Sequence, residues 1–206
     1  MAAIANLFAS PLYRAHLPAR SATELNAELL RTCLSIAQED HAGQAWCKAH
    51  DYHGYTSYAS LDDLPIRASV FEELLTHLKP HVRAFVRAQE WDFQGRKLTL
   101  DSLWINVMEA GSLHTSHIHP HAVISGTYYV AIPKGAATIQ FEDPRLPMMM
   151  AAPAVRPRAR MEKRRFVEIS PTPGTVLLWE SYVRHAVALN KARGKRVSIS
   201  FNYALI

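Results

Sequence analysis

Residues 102–133 read SLWINVMEAGSLHTSHIHPHAVISGTYYVAIP, and this stretch decides the fold. Two β-branched and aromatic segments flank a connection that holds four histidines within eight residues: His114, His117, His119 and His121. Short segments of this composition, ended by Gly, Pro or Asn, are typical of β-strands. The stretch therefore predicts two strands joined by a histidine-rich connection.

The two-residue period of these strands continues after Gly95, whereas helical spacing dominates before it. The segments with strand character are LTLDSLWINVM, ISGTYYVAIP, ATIQFE, RFVEIS, GTVLLWE, AVALN and RVSISFNYALI. Before Gly95, apolar residues recur every three or four positions in residues 25–36 and 70–86, and Pro80 is expected to kink or divide the second stretch. We predict an α+β, mainly β protein, a sandwich, jelly roll or barrel with N-terminal helices packed on one face.

The 206 residues are predicted to form a single domain, with a helix-rich part at 1–95, a β core at 96–206 and a basic loop at 146–165. With 49% apolar and 20% charged residues, the composition excludes collagen, coiled coils and low-complexity chains. Cys33 and Cys47 form no CxxC motif or disulfide framework, and the N-terminus does not resemble a signal peptide. No stretch reaches the ~18 consecutive apolar residues of a membrane span, so we expect a cytoplasmic protein.

The net charge of +5 comes from one segment. Residues 156–165 hold six Lys or Arg side chains against one Glu, which leaves the rest of the chain neutral. A nucleic-acid-binding protein spreads its basic residues over a face, so this distribution argues against a nucleic-acid partner. The loop also holds Met148, Met149 and Met150, and it is expected either to cover a substrate mouth or to be solvated.

Side chains alternate between the two faces of a strand. The strand at 196–206 therefore has a polar face, formed by Arg196, Ser198, Ser200 and Asn202, and an apolar face, formed by Val197, Ile199 and Phe201. We expect the apolar face to pack against the helices and the polar face to point into the roll. Buried polar groups without partners cost about 1–3 kcal/mol each, so an inward polar row indicates a pocket.

The histidines form a second pattern. On an extended segment His117, His119 and His121 face one way and His114 faces the other. Imidazoles at i and i+2 can bind one ion of iron, zinc, copper or nickel, and His185, between two strand segments, is the candidate third ligand. His121 stays an alternative ligand.

The order of these motifs resembles a known family. Gly111, the HxH pair and Gly126 fit the first cupin motif without its glutamate. More specifically, residues 102–133, then IQFEDPR, WESYVRHAV and RVSISFN, resemble iron(II)/2-oxoglutarate-dependent oxygenases, closest to a bacterial and phage branch with HxHP, SGxYYV, FxDPR and RxSxSFN motifs. The resemblance covers residues 100–206 and implies a double-stranded β-helix (jelly roll, cupin-like) that uses Fe(II), 2-oxoglutarate and O₂ to hydroxylate a small-molecule or peptidyl substrate.

The resemblance also implies a ligand set. It places the metal on His117, His119 and His185, with a histidine at 119 where the family usually has a carboxylate. Three neutral imidazoles bind Fe(II) more weakly than two imidazoles with a carboxylate, so the identity of the metal stays open. A carboxylate from elsewhere in the fold could complete the site, and the candidates are Glu109, Glu142 and Asp143.

For the co-substrate, the resemblance places the far carboxylate of 2-oxoglutarate on Arg196, whose guanidinium matches a carboxylate, with Ser198 beside it. Asn106 and Tyr128 resemble positions that line the same pocket. Because Tyr128 and Tyr129 face opposite ways, only one of the two tyrosines can line it.

Two other classes of function fit part of the pattern. One is a cupin-like metal-binding protein, or a dioxygenase that does not use 2-oxoglutarate, and the other is a non-enzymatic binding module without a metal. The absence of a carboxylate at 119 favours these alternatives, and the HxH, His185 and Arg196 set favours the oxygenase. A homodimer is an expectation from jelly-roll proteins in general, and the sequence does not identify the substrate.

Overall fold

The computed structural model of the protein describes residues 3–145 and 151–206, and within these residues it contains four α-helices and ten β-strands. The helices are α1 (Ala19–Glu39), α2 (His41–Ala49), α3 (Leu64–Arg67) and α4 (Ser69–Gln89). The strands are β1 (Leu12–His16), β2 (Tyr55–Thr56), β3 (Leu98–Met108), β4 (His114–His117), β5 (Ile124–Ala131), β6 (Ile139–Glu142), β7 (Phe166–Ile169), β8 (Thr175–Glu180), β9 (His185–Val187) and β10 (Arg196–Leu205).

The strands form two antiparallel sheets. The larger sheet has the order β1-β8-β5-β10-β3-β2, and the smaller one has the order β4-β9-β6-β7. Apolar side chains of both sheets form a cluster between them that includes Tyr129, Leu177 and Trp179 of the larger sheet and Ile139 and Phe141 of the smaller one. This arrangement confirms the predicted double-stranded β-helix.

The helices pack on the outer face of the larger sheet. Val197, Ile199 and Phe201 of β10 share a core with Leu29 of α1 and Phe71 of α4. Each fully buried side chain of this kind contributes ~1.5–3 kcal/mol, so the apolar face of β10 fixes the helices on the sheet. The polar face of β10 is thereby directed into the roll, as the alternation of its residues predicted.

Gly126 of β5 lets two neighbouring strands approach closely. A Cβ atom at this position would lie 2.4 Å from Cε2 of Phe201 in β10 and 2.7 Å from Cδ2 of Leu178 in β8. Only glycine leaves room for both side chains in this packed layer.

The N-terminal part differs from the prediction in two respects. It contributes β1, which pairs with β8, and β2, which pairs with β3, so the larger sheet is not built from residues 96–206 alone. In addition, α4 continues without interruption through Pro80. Pro80 lies on the exposed face of the helix, where water can satisfy the carbonyl that loses its partner.

The described part of the basic loop, residues 151–165, is irregular apart from one 3-10 turn at Met161–Lys163. Met161, Glu162 and Arg164 line a cavity together with Phe8 of the N-terminal segment, and the lining of this cavity contains none of the four clustered histidines. Met148, Met149 and Met150 lie outside the described residues. Among the helices of the described ranges, none combines the length and apolar character needed to cross a membrane.

Candidate metal centre

Three histidines meet at the junction of β4 and β9. His117 lies directly opposite His185 in the antiparallel pairing of these strands, and His119 follows β4 by two residues. One ring nitrogen from each of the three lies within 4.8 Å of the others, and Nε2 of His119 is 3.3 Å from Nε2 of His185. The structure therefore brings together the three histidines that the sequence nominated as ligands.

Two of these rings are held in the orientation that a metal ligand needs. Nδ1 of His117 lies 2.7 Å from the carbonyl oxygen of Thr115, and Nδ1 of His185 lies 3.1 Å from that of Val183. Because a carbonyl oxygen only accepts, both Nδ1 atoms carry the proton and donate it. The lone pair of each ring is therefore on Nε2, available for an ion.

His119 has a different set of hydrogen bonds. Its Nδ1 lies 3.3 Å from Nδ2 of Asn202, an amide nitrogen that also donates to Oγ of Ser102. Oδ1 of the same amide accepts from Ser125, which fixes the orientation of Asn202. An accepting Nδ1 leaves the proton of His119 on Nε2, where it donates to Nε2 of His185. His119 is therefore the one member of the group that must rearrange its proton before it can bind a metal.

Burial keeps the imidazoles neutral. Desolvation, together with repulsion from His117, lowers the pKa of His185 to about 2. Desolvation also lowers the pKa of His119 to about 4 and that of His117 below its ordinary value. The neutral imidazole is the form that binds metals, so the group is in its binding-competent charge state at neutral pH.

The other two histidines of the cluster lie differently from each other. His114, predicted on the opposite side of the strand, instead stacks on His117 with ring centroids 4.4 Å apart. The register of β4 against β9 shifts between His114 and His117, and this shift turns His114 into the same cleft. His121 is exposed in a turn with φ of 71°, and the structure does not bring it into the group.

The candidate carboxylates have other partners. Glu109 pairs with Lys195 at 3.2 Å, Asp143 pairs with Arg145 at 2.6 Å, and Glu142 lies 3.8 Å from both Arg165 and Arg184. Within residues 3–145 and 151–206, none of these three carboxylates joins the histidine group. The candidate metal site therefore consists of three neutral nitrogen donors.

Arg196 lines the same cleft from the first position of β10. Its side chain is 2% exposed, and its guanidinium lies over the ring of Tyr129, 5.1 Å from the centroid. Nη1 is 3.4 Å from both Oγ of Ser198 and Sδ of Met108, and Nε has no partner. Burial lowers the pKa of Arg196. Among the residues that the structure describes, no carboxylate pairs with this cation.

The other predicted co-substrate residues fall into two groups. Ser198 and Asn106 line the cleft, where Nδ2 of Asn106 donates to Ser200 and its Oδ1 has no partner. Tyr128 does not line the cleft, and the structure corrects the prediction at this position. Its side chain points to the helices, where its hydroxyl donates to Asn26.

Tyr129 occupies the place predicted for Tyr128. It is fully buried, it lines the cleft beside Arg196, and its hydroxyl has no hydrogen-bond partner. Alternation along β5 predicted that only one of the two tyrosines could face the cleft. It is Tyr129, because Tyr128 belongs to the face of the sheet that the helices cover.

These side chains fit an iron ion and 2-oxoglutarate. Metal–nitrogen bonds of ~2.1 Å require ligand atoms closer together than 4.8 Å, which small rotations of the imidazole rings can provide. A carboxylate bound in the cleft would give the buried guanidinium of Arg196 a counter-ion and the unpartnered donors of Arg196 and Tyr129 an acceptor. The buried polar groups of the cleft are thus complementary to an anionic ligand.

At its outer end the cleft adjoins a second cavity of about 320 Å³, here called the mouth cavity. Its lining includes Trp46, Tyr52, Tyr58, Asp101, Trp104, His117 and His119. Sequence reasoning missed the first three of these: Trp46 lies in α2, and Tyr52 and Tyr58 lie in the loop region that follows α2. The abundance of tyrosine in that loop was the available signal.

Comparison with known proteins supports the same assignment of the fold. Residues 102–202 match the model of a family described as "Putative 2OG-Fe(II) oxygenase". A search of the curated proteins gave no match to the sequence.

Several solved structures are similar. The non-heme alpha ketoglutarate dependent epimerase SnoN from nogalamycin biosynthesis is 14% identical, with a TM-score of 0.59 over 93% of this chain and 76% of its own. A Pseudomonas putida prolyl-4-hydroxylase is 14% identical, with a TM-score of 0.58 over 94% of this chain and 91% of its own. The viral collagen prolyl hydroxylase vCPH from Paramecium Bursaria Chlorella virus-1 is 10% identical, with a TM-score of 0.56 over 94% and 96% of the two chains. At these identities the likeness is one of fold.

Proposed function

We propose that this chain, whose residues 102–202 match the model of the 2OG-Fe(II) oxygenase family, hydroxylates a small-molecule or peptidyl substrate. In this proposal His117, His119 and His185 hold Fe(II). Arg196 holds the far carboxylate of 2-oxoglutarate, and O₂ is the oxidant. The reaction consumes one O₂ and one 2-oxoglutarate for each hydroxylated product and releases succinate and CO₂.

The observation that carries the proposal is the environment of Arg196. A guanidinium buried to 2% exposure ordinarily has a carboxylate partner, because an unpaired buried charge costs several kcal/mol. This guanidinium has instead Ser198, Met108 and the ring of Tyr129 around it, in a cleft that leads to three histidines. A dicarboxylic oxo acid would place one carboxylate on Arg196 and the other end near the imidazoles.

The protein's own contribution is to bind and orient. The carbonyls of Thr115 and Val183 hold the rings of His117 and His185 so that both Nε2 atoms face the same space. The apolar cluster between the sheets, including Trp179 and Phe141, closes the inner side of the cleft against water. When bound, the iron and the oxo acid together supply the oxidising power for cleavage of a substrate C–H bond.

The test is an anaerobic titration of the metal-free protein, first with Fe(II) and then with 2-oxoglutarate. We expect a visible charge-transfer band that saturates at one iron per chain, that is absent in His185→Ala and that is lost in Arg196→Ala. His121→Ala is the matched control, because His121 lies outside the group, and it should keep the band. Bound iron without a band in the wild-type protein would contradict the proposal.

One observation favours a second candidate, a cupin-like metalloprotein or a dioxygenase that does not use 2-oxoglutarate. The metal donors are three imidazoles, and within the described ranges no carboxylate joins them. This candidate predicts stoichiometric metal without a 2-oxoglutarate band, in the wild-type protein and in Arg196→Ala alike. The same titration therefore separates the two candidates.

A further inference from the structure

Aromatic side chains form the walls of the mouth cavity. The rings of Tyr58 and Trp104 meet at 70° with centroids 5.2 Å apart, which makes a corner of two π faces. Trp46 and Tyr52 line other parts of the cavity. Tyr58 is 58% exposed and Trp104 is 5% exposed, so the corner leads from solvent towards the interior.

The deep end of the mouth cavity is next to the candidate metal centre. The Trp104 ring lies 5.6 Å from that of His119, centroid to centroid, and Trp104 lines both the mouth cavity and the cleft. A group held against Trp104 is therefore placed beside the histidines. The mouth cavity is therefore the space from which a ligand would reach the histidine group.

An irregularity in β3 puts a carboxylate into this aromatic lining. Asn202 and Tyr203 of β10 pair with Ser102 and Leu100, so Asp101 is an extra residue without a partner in β10. Such a bulge redirects side chains, and bulges are frequent beside active sites. Here the side chain of Asp101 lines the mouth cavity.

The carboxylate of Asp101 has no counter-ion among the residues that the structure describes, since no Lys, Arg or His of these residues forms an ion pair with it. The same lining contains the aromatic rings of Trp46, Tyr52, Tyr58 and Trp104. The lining therefore combines electron-rich ring faces with a single negative charge, and both attract a cation.

We propose that the substrate of this site carries a cationic amine, which binds among the Tyr58 and Trp104 rings with Asp101 as its counter-ion. The inference deepens the proposed function, on which its description as a substrate site rests. The volume of about 320 Å³ is at the lower end for small-molecule pockets, so it suits an alkylammonium group with a short apolar body.

The test compares two probes of the same shape and different charge. Choline and its neutral isostere 3,3-dimethylbutan-1-ol are titrated into the full-length protein by isothermal titration calorimetry. Cation–π attraction and the Asp101 carboxylate should make choline bind about tenfold more tightly than the alcohol. Equal affinities, or no binding of choline up to high millimolar concentration, would overturn the proposal.

Two variants and one control locate the effect. Asp101→Asn keeps the size of the side chain and removes its charge, so it should lower choline affinity several-fold and leave the alcohol unchanged. Tyr58→Ala removes an exposed wall and should weaken choline with little effect on folding. Asp92→Asn removes an equal charge from a residue that lines another cavity, and it should behave as the wild type. A choline preference that survives in Asp101→Asn contradicts the role of Asp101.

The titration is run on the metal-free protein and again with Fe(II) and 2-oxoglutarate under anaerobic conditions. A choline preference in the metal-free protein supports the cation site whether or not the iron complex forms. Formation of the iron complex without any choline preference supports the proposed function and overturns this inference. The two proposals therefore fail separately.

Discussion

Replacing Arg196 by methionine should make the ligand-free protein more stable while abolishing the binding of 2-oxoglutarate. The guanidinium is 2% exposed, its Nε has no partner, and no carboxylate of the described residues neutralises it. Removing an unsatisfied buried donor recovers about 1–3 kcal/mol, and hydrophobic replacement of buried ionic groups is often stabilising by about 1–4 kcal/mol. We therefore expect the free energy of unfolding to rise by about 1–3 kcal/mol, which for a chain of this size raises Tm by about 2–4 °C for each kcal/mol.

The assay is thermal unfolding of both proteins, metal-loaded and metal-free, with and without 2-oxoglutarate. A ligand at 100 times its Kd stabilises the native state by about 2.7 kcal/mol, so the metal-loaded wild type should show a clear rise in Tm and the variant none. Arg193→Met is the matched control, because Arg193 is exposed and precedes Arg196 by three residues. If Arg196→Met unfolds at a lower temperature and still responds to 2-oxoglutarate, the guanidinium is a structural group and the reasoning is refuted.

Three further predictions follow from the cleft. Burial holds the pKa of His185 at about 2, so as the pH falls the unfolded chain takes up a proton on this histidine before the native protein does. The metal-free protein should therefore lose up to ~1.4 kcal/mol of its free energy of unfolding per pH unit below about pH 6.5 for each such histidine. Urea unfolding at pH 7.5 and 5.5 checks this, and equal midpoints would contradict it. Tyr129→Phe should weaken 2-oxoglutarate binding by about tenfold or more, since hydrogen bonds to charged groups contribute about 1.5–3 kcal/mol. Tyr128→Phe should leave this binding unchanged and lower the free energy of unfolding by about 1 kcal/mol. Calorimetry measures the binding and urea unfolding measures the stability, and the reverse pattern would show that Tyr128 faces the cleft. Asn202→Asp should raise metal affinity by about tenfold or more, because a carboxylate at 202 would accept the Nδ1 proton of His119 and free its Nε2 for the metal. Competition with a chromophoric chelator measures the change, and an unaltered affinity would refute the assigned proton positions.

The strands and their faces were predictable because alternation is a local property. The polar residues of β10 and its apolar residues lie on the faces that their positions require, and this one strand located both the cleft and the helix-covered side. The pair His117 and His119 could be recognised from spacing. Its partner His185 was nominated from its place between two strand segments and then by the resemblance, and the register of β4 with β9 supplies the geometry.

The errors arose where a strand is irregular or where the choice depends on long-range packing. His114 was placed on the wrong side because the register shift beside His117 has no signature in the sequence. Tyr128 and Tyr129 are equivalent in composition, and only the docking of the helices decides which of them is covered. Asp101 was not considered because a bulge in β3 gives it its direction.

The departure of this chain at position 119 from the pattern of the family that it resembles has a counterpart in the hydrogen bonds around it. Nδ2 of Asn202 is a donor directed at the side chain of residue 119, and Ser102 and Ser125 hold the amide in that orientation. A carboxylate at 119 would accept this hydrogen bond with one oxygen and offer the other to a metal without moving a proton. An imidazole can accept it only with its proton on Nε2, the atom that must bind the metal. Metal affinity at this site is therefore governed by residues 119 and 202 together, and the amide at 202 is better matched to a carboxylate than to the histidine that this chain has.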